Sequence, residues 1–313
     1  ALLRSAQAAR LAGRPSAAAA RLAELHDTAR AGEKLWHLWG RWELAQLLWQ
    51  GGARRPPEAE SAAIAAAESV LDALDSGNGG GASRSHWRLK VQCARSVASW
   101  RSSLMMAASS VGVETDRVER LCKDSLAACA GLDDAEACHE RCETHAWYAA
   151  WLEARYRARL SRLKKAGAAD PVAASRHLDR LARHALDEYG ACAREGDSHN
   201  HAALFAMLSL WLDRPVALYG AADTLCSLPT RKLLPLVPQL CARLGVHAAA
   251  RHGLDDGIRR VLRHAARRHL HTVVPQLLQL DFGDAFSPQE ETVEPNQGQL
   301  HSARTLLTEL KRP

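Results

Sequence analysis

The sequence is short of aromatic residues, lysine and long apolar runs. Aromatic side chains make up 5% of its 313 residues, and seven lysines stand beside a large excess of arginine. Arg, His or Asp interrupts every apolar run before it reaches the roughly 18 residues that a membrane-spanning helix needs. We therefore predict no contact with a membrane.

Alanine, leucine and arginine dominate instead, a mixture that favours helices, and β-branched residues are few. Glycine and proline divide the chain into a succession of amphipathic helices without a convincing strand pattern. Adjacent helices joined by short turns bury their apolar stripes on one another. The prediction is an all-α fold, an irregular α-solenoid of antiparallel helix pairs of the TPR/HEAT-like class.

Two polar stretches mark the boundaries of this helical array. Residues 76–84 include SGNGGGAS and predict a flexible loop, and residues 287–299, SPQEETVEPNQGQ, predict a polar linker. The array then covers residues 1–286, and a further helix starts within 300–313. In the last part of the array we expect helices at 199–213, 215–226, 230–245, 254–267 and 269–280.

The eight cysteines are scattered, and we expect free thiols rather than a disulfide framework. Cys138, Cys142 and His145 fall on one helical face and are the candidate metal ligands. A structural zinc site needs four converging ligands, and the usual Cys-x-x-Cys pair is missing. Small thiols also pack well in helical arrays, so packing is the prediction and zinc is the alternative.

No set of residues combines a nucleophile, a general base and a phosphate cradle. Asp281-Phe282-Gly283 has the letters of the kinase metal-binding motif, but the strand lysine and catalytic loop that a kinase needs are not recognisable. The glycine run at 77–82 follows a predicted helix, whereas a phosphate-binding loop joins a strand to a helix. We predict that this chain by itself is not an enzyme and binds no cofactor.

A basic amphipathic helix is predicted at 258–268, in a chain whose net charge is +6. Arg259, Arg263 and Arg267 form one stripe of this helix. Such a stripe contacts phosphates or acidic helices, or it is a solvated face whose counter-charges lie elsewhere. Because no aromatic residues suited to base stacking accompany it, direct contact with nucleic acid is not expected.

Residues 228–244, hereafter the proline-rich segment, combine helical periodicity with two prolines. Pro235 and Pro238 lie inside the periodic stretch, and an interior proline costs a helix about 3 kcal/mol. We predict a kinked helix that is a structural keystone rather than a ligand site. Its buried face is expected to consist of Leu233, Leu236 or Val237, Leu240 and Leu244.

The proline-rich segment and the helix before it resemble the FAT region of the ATM (ataxia-telangiectasia-mutated) kinase family. That family has an Ile-Pro-x-Tyr-Lys-Phe-Leu-Pro-Leu-x-x-Gln-Leu-x-Ala-Arg sequence after a helix ending in Ser-Leu-Trp. Arg231, Leu233 and Pro238 depart from it, standing where the family has Tyr, Phe and usually an aromatic residue. Matching in register are Trp211, Pro229, Lys232, Leu234, Pro235, Leu236, Gln239, Leu240, Ala242 and Arg243.

The resemblance spans roughly residues 34–285, and it implies a FAT-type helical scaffold of an ATM-like serine/threonine kinase of the PIKK superfamily. Such a protein is nuclear, acts in the DNA-damage response, forms a homodimer and receives signals from DNA-break sensor proteins. A kinase domain that uses ATP and Mg²⁺ is then expected beyond Pro313 in the same polypeptide. The alternatives are an unrelated TPR- or HEAT-like protein-interaction scaffold and the FAT region of another kinase of this superfamily.

Overall fold

A computed structural model describes residues 2–28, 34–50, 57–76, 86–107, 113–166, 171–245, 253–282 and 297–311. These residues form helices and turns, and none of them lies in a strand, which confirms the predicted all-α fold of the solenoid class. Across the same residues no helix is both long and apolar enough to cross a membrane. Nearly all of the predicted loop 76–84 and most of the predicted linker 287–299 lie outside the described residues.

The chain divides into two compact units, Ala1–Glu140 and Arg141–Pro313. The first unit contains helices α1 to α6, which run over Leu2–Leu11, Pro15–Thr28, Lys34–Trp49, Pro57–Ser76, Trp87–Ala107 and Val113–Ala128. Helices adjacent in sequence pack as pairs, α1 on α2, α3 on α4 and α5 on α6. This pairing is the one that short connections between amphipathic helices favour.

Tryptophan rings join these pairs in the first unit. Trp42 of α3 is buried and stacks on Trp100 of α5, with ring centroids 5.6 Å apart. Trp49 also stacks on Trp100, at 4.8 Å. Leucine, alanine and valine side chains of α3, α4 and α5 surround the three rings. The aromatic content is low, but these rings hold the core between two helix pairs.

The long helix α7, Ala135–Ala166, begins in the first unit and continues into the second. It is followed by α8 (Pro171–Glu195), α9 (Asn200–Asp213), α10 (Ala221–Cys226), α11 (Thr230–Leu233), a 3-10 helix (Leu234–Leu236), α12 (Val237–Cys241), α13 (Leu254–Phe282) and α14 (Gln297–Leu310). Helix α14 begins inside the predicted linker. The break predicted between 254–267 and 269–280 is confirmed at His269, whose φ and ψ are −131° and 46°.

Helix α8 shows how the apolar pattern produces the fold. Pro171 is its first residue, a position where the missing N–H has no intrahelical partner to lose. The helix packs on α9. Its buried side chains recur at spacings of three and four, which places them on one face: Leu178, Leu181, Ala182, Ala185, Leu186 and Tyr189.

The predicted helix 215–226 is wrong over its first half. Residues 214–220 form turns, and the helix starts at Ala221. Leu218 is the buried residue of this stretch, whereas Val216 and Tyr219 are 73% and 76% exposed, so little apolar burial is available to stabilise a helix. The N–H of Arg214 donates to Leu210 and closes α9 immediately before the turns.

Candidate functional site

The proline-rich segment forms three short helices instead of the predicted kinked helix. Pro235 is the second residue of the 3-10 helix, and Pro238 is the second residue of α12. The first N–H groups of any helix lack an intrahelical acceptor, so neither proline removes a hydrogen bond. The cost of an interior proline, which led to the predicted kink, is therefore avoided by starting a new helix before each proline.

The predicted buried face of the proline-rich segment is confirmed. Leu233, Leu240 and Leu244 are 0% exposed, and so are both Leu236 and Val237, between which the spacing did not decide. Pro238 is exposed, so the aromatic residue that the resembling family usually has here would lie at the surface. Of the other matched residues, Leu234 and Pro235 are half-buried, and the exposed ones are Pro229, Gln239, Ala242 and Arg243.

Lys232 is the one charged residue of the proline-rich segment whose side chain is buried, at 7% exposure. Its Nζ donates to the carbonyl oxygens of Ala193 at 2.6 Å and Gly196 at 2.9 Å, and it lies 2.9 Å from Oδ1 of Asp197. Helix α8 ends at Glu195, where carbonyl groups lack intrahelical donors. Lys232 therefore caps α8 and places a positive charge at the negative end of its dipole.

The hydrogen bond and the charge of Lys232 also lower the pKa of Asp197, although that carboxylate is exposed. Arg231, which stands where the resembling family has Tyr, reaches the same carboxylate at 3.4 Å with its own side chain exposed. Two neighbouring cations therefore behave differently. Lys232 joins two parts of the fold, whereas the contact of Arg231 is at the surface and contributes little.

Trp211, the last residue of the matched Ser-Leu-Trp ending, connects α9 to α13. Its side chain is 1% exposed. A Cβ atom added to Gly257 would lie 2.6 Å from Cζ2 of Trp211, so the indole occupies the space that any larger residue at 257 needs. Gly257 is a residue that sequence reasoning missed, although a glycine within the apolar stripe of a predicted helix was an available signal.

Asp255, in the first turn of α13, joins three segments. Its Oδ1 accepts the N–H of Gly245 at 2.6 Å, and its Oδ2 accepts the hydroxyl of Ser302 in α14 at 3.0 Å. The φ of Gly245 is +72°, and a Cβ there would collide with the carbonyl oxygen of Gly298. The end of the proline-rich segment is therefore fixed to both α13 and α14, and Asp255 is a second residue that sequence reasoning missed.

The candidate metal ligands point to different partners. Sγ of Cys142 lies 3.6 Å from Sγ of Cys192, and Nδ1 of His145 lies 2.6 Å from Glu188. Among the described residues, no group of three or more His, Cys, Asp and Glu side chains could hold a metal ion, so zinc finds no support at Cys138, Cys142 and His145. All eight cysteines are free thiols, as predicted.

The two thiols of the Cys142–Cys192 pair have opposite pKa shifts. The hydrogen bond with Cys192 lowers the pKa of Cys142 to about 6, while the same contact and burial raise the pKa of Cys192. Their hydrogen bonding couples α7 to the end of α8, close to the carbonyl groups that Lys232 caps.

The kinase-like letters at 281–283 fall at the end of α13, which runs through Phe282, while Gly283 lies outside the described residues. The glycine run at 77–82 lies outside them too. The contacts described for Trp211, Lys232 and Asp255 each connect one helix to another. These contacts, one steric and two made through hydrogen bonds, hold the helices in fixed positions relative to their neighbours.

No protein-family model matches the sequence, and no curated protein matches it. Among solved structures, the chain is similar to the FAT and kinase domain of CtTel1, with a TM-score of 0.63 and 13% sequence identity. The match covers 100% of this chain and 22% of that chain. At this identity the likeness concerns the fold alone, an all-helical fold shared with part of that structure.

Proposed function

We propose that this chain is the FAT-region helical scaffold of an ATM-like serine/threonine protein kinase. In this role it supports and regulates the kinase domain and contributes to a homodimer. The parent kinase, which uses ATP and Mg²⁺, acts in the nucleus in the DNA-damage response and receives signals from DNA-break sensor proteins. The chain itself is a mechanical element and carries out no catalysis.

The observation that carries this proposal is the position of the matched residues in the FAT-like fold. Trp211 and Lys232 match the family sequence in register, and both are buried where they connect helices that are distant in sequence. The similarity to the FAT and kinase domain of CtTel1, an ATM homologue, supports the same assignment from the fold. Two residues that match the family sequence are therefore buried at contacts between helices, which supports the proposal.

The first test is to read the coding sequence that continues from Pro313 and to assay the encoded protein. We expect a lipid-kinase-like catalytic domain that phosphorylates a Ser-Gln peptide with ATP and Mg²⁺. An unrelated continuation would favour the TPR- or HEAT-like interaction scaffold, and a different substrate preference would favour another kinase of the superfamily.

The second test concerns the chain by itself. The purified 313-residue chain should neither bind ATP with Mg²⁺ nor phosphorylate a Ser-Gln peptide, because it lacks the recognisable parts of a kinase site. Activity that survives repurification and is lost in Asp281→Ala would show that the chain is catalytic.

The third test asks whether the proline-rich segment affects kinase activity in the parent protein. Lys232→Met should lower kinase activity, because the cap of α8 is lost and the scaffold beside the catalytic domain is altered. Arg243→Met changes an exposed cation of the same segment and should leave the activity within about twofold of wild type. Equal activity of both variants would contradict a regulatory role for the proline-rich segment.

A further inference from the structure

In the basic helix predicted at 258–268, the first arginines are paired with carboxylates, and the last two have no carboxylate partner in the part of the chain that the structure describes. Arg259 pairs with Asp255 at 3.2 Å, and Arg260 pairs with Asp223 at 2.7 Å. Arg263 pairs with Glu309 of α14. In these turns of α13, the arginines of the basic stripe therefore form ion pairs with carboxylates of the same chain. This is the solvated face, neutralised by the chain's own acidic residues, that was one of the two alternatives predicted for the stripe.

The next turn of α13 differs in that its arginines are not paired with any carboxylate that the structure describes. Arg267 and Arg268 are both exposed, and neither has an acidic partner among the described residues. Arg231 of α11 approaches the same region, and its contact with Asp197 is 3.4 Å long between two side chains that are each about two-thirds exposed. An exposed ion pair of this kind is weak, so Arg231 remains available to a stronger anionic partner.

These three arginines line one cavity of about 900 Å³. His264 and His269 contribute to the same wall, and no aspartate or glutamate lies among the described lining residues. The backbone break at His269 lies at the edge of the cavity. Cationic groups that converge on a concave surface raise the local concentration of anions and orient them through paired hydrogen bonds.

The floor of this cavity is apolar. Leu228 and Pro229 line it beside the arginines, and its volume is in the range of pockets that bury several side chains rather than one small ion. No Phe, Tyr or Trp lies among the described lining residues, although proteins that bind single-stranded nucleic acid rely on such rings for stacking. The fitting ligand has negative charges and an apolar side chain close together.

We propose that the cavity between α11 and α13 binds an acidic peptide segment of a partner protein. Carboxylates of the peptide pair with Arg231, Arg267 and Arg268, and an apolar side chain between them packs on the exposed Pro229. Charge complementarity identifies the class of partner, and the apolar floor gives the reason for a peptide over a polyphosphate.

The test uses the whole chain and a fluorescein-labelled peptide with the sequence Glu-Glu-Leu-Glu-Glu-Leu-Glu-Glu, titrated by fluorescence anisotropy in low salt. The double variant Arg267→Gln/Arg268→Gln should weaken binding about tenfold, since two charge pairs are lost. Arg159→Gln/Arg162→Gln is the matched control, because it removes two exposed arginines of α7, and it should change the affinity less than about twofold.

A peptide in which every Glu is replaced by Gln should bind at least about tenfold more weakly than the acidic peptide. Equal binding of the two peptides, or equal loss in the two double variants, would overturn the proposal. A single-stranded oligonucleotide of the same charge is the second ligand. If it binds more tightly than the peptide and is lost in Arg267→Gln/Arg268→Gln, the cavity is a nucleic-acid site instead.

Photocrosslinking keeps the proposal testable if the double variant fails to fold. A benzophenone in place of a leucine of the acidic peptide should label wild-type chain at residues that line the cavity, which are 226–231, His264 and 267–269. Labelling confined to other segments would show that the peptide binds elsewhere.

Discussion

The indole of Trp211 fills the space above the bare Cα of Gly257, where an added Cβ would come within 2.6 Å of Cζ2. Trp211 is almost fully buried, so the ring has no solvent-exposed position to which it could move. The close approach of α9 and α13 therefore depends on a tryptophan in one helix and a glycine in the other.

Gly257→Ala should lower the free energy of unfolding by about 1 to 3 kcal/mol through overpacking, even though alanine is the better helix former. Gly220→Ala is the control, because no heavy atom lies within 4 Å of its added Cβ and its φ is −75°. That control should be neutral or stabilising by up to about 1 kcal/mol. Urea unfolding decides, and equal stability of the two variants would show that the contact is loose.

Lys232→Met should destabilise the chain by about 1 to 3 kcal/mol, because the carbonyl oxygens of Ala193 and Gly196 lose their donor. Arg231→Met removes the adjacent cation, which is exposed, and should change stability by less than about 0.5 kcal/mol. Thermal melts of both proteins measure the difference. A Lys232→Met protein as stable as wild type would mean that water replaces the lysine at no cost.

Leu236→Ala and Leu240→Ala should each cost about 2 to 5 kcal/mol, because both leucines are fully buried and their truncation leaves a cavity. Gln239→Ala alters an exposed neighbour and should stay within about 0.5 kcal/mol of wild type. Pro238→Tyr should also be tolerated, since Pro238 is exposed and lies in the first turn of α12. Collapse of the Pro238→Tyr protein would show that the proposed register with the family is wrong.

Acid should remove a contribution of Glu188 to stability. Burial raises the pKa of this carboxyl, but hydrogen bonds from His145 and His184 outweigh it, and the pKa falls to about 2 from the ordinary 4.5. A carboxyl group whose pKa is lower in the folded chain than in the unfolded chain stabilises the fold. This contribution is complete above about pH 4.5 and is lost as the pH falls from there towards 2. The stability difference between wild type and Glu188→Gln should therefore be smaller at pH 3 than at pH 5. Equal differences at the two pH values would contradict this contribution.

Helices and buried leucines were predictable because they follow from local spacing. The stripe Leu233, Leu236 and Leu240 needed only a 3.6-residue period, and it is buried as predicted. The break at His269 was equally predictable from the interruption of the pattern. These features depend on residues within one or two turns of each other, which is the range over which sequence periodicity is informative.

The joints between helices were not predictable from spacing. Lys232 and its acceptor Ala193 are 39 residues apart, and the sequence between them does not reveal that the end of α8 needs a donor. The two prolines led to the wrong prediction of a kinked helix for a different reason. A proline is costly inside a helix and harmless in its first turn, and only the three-dimensional path shows that new helices begin at Leu234 and Val237.

The carboxylate of Asp255 is shared between the end of the proline-rich segment and helix α14, through the N–H of Gly245 and the hydroxyl of Ser302. Because the backbone of Gly298 in α14 also packs against Gly245, we expect these contacts to open as one cooperative unit when α14 separates. Amide hydrogen exchange at Gly245 therefore reports the opening of a helix more than fifty residues further along the chain. A partner that binds α14 in its packed position raises the free energy of this opening, and exchange at Gly245 becomes slower.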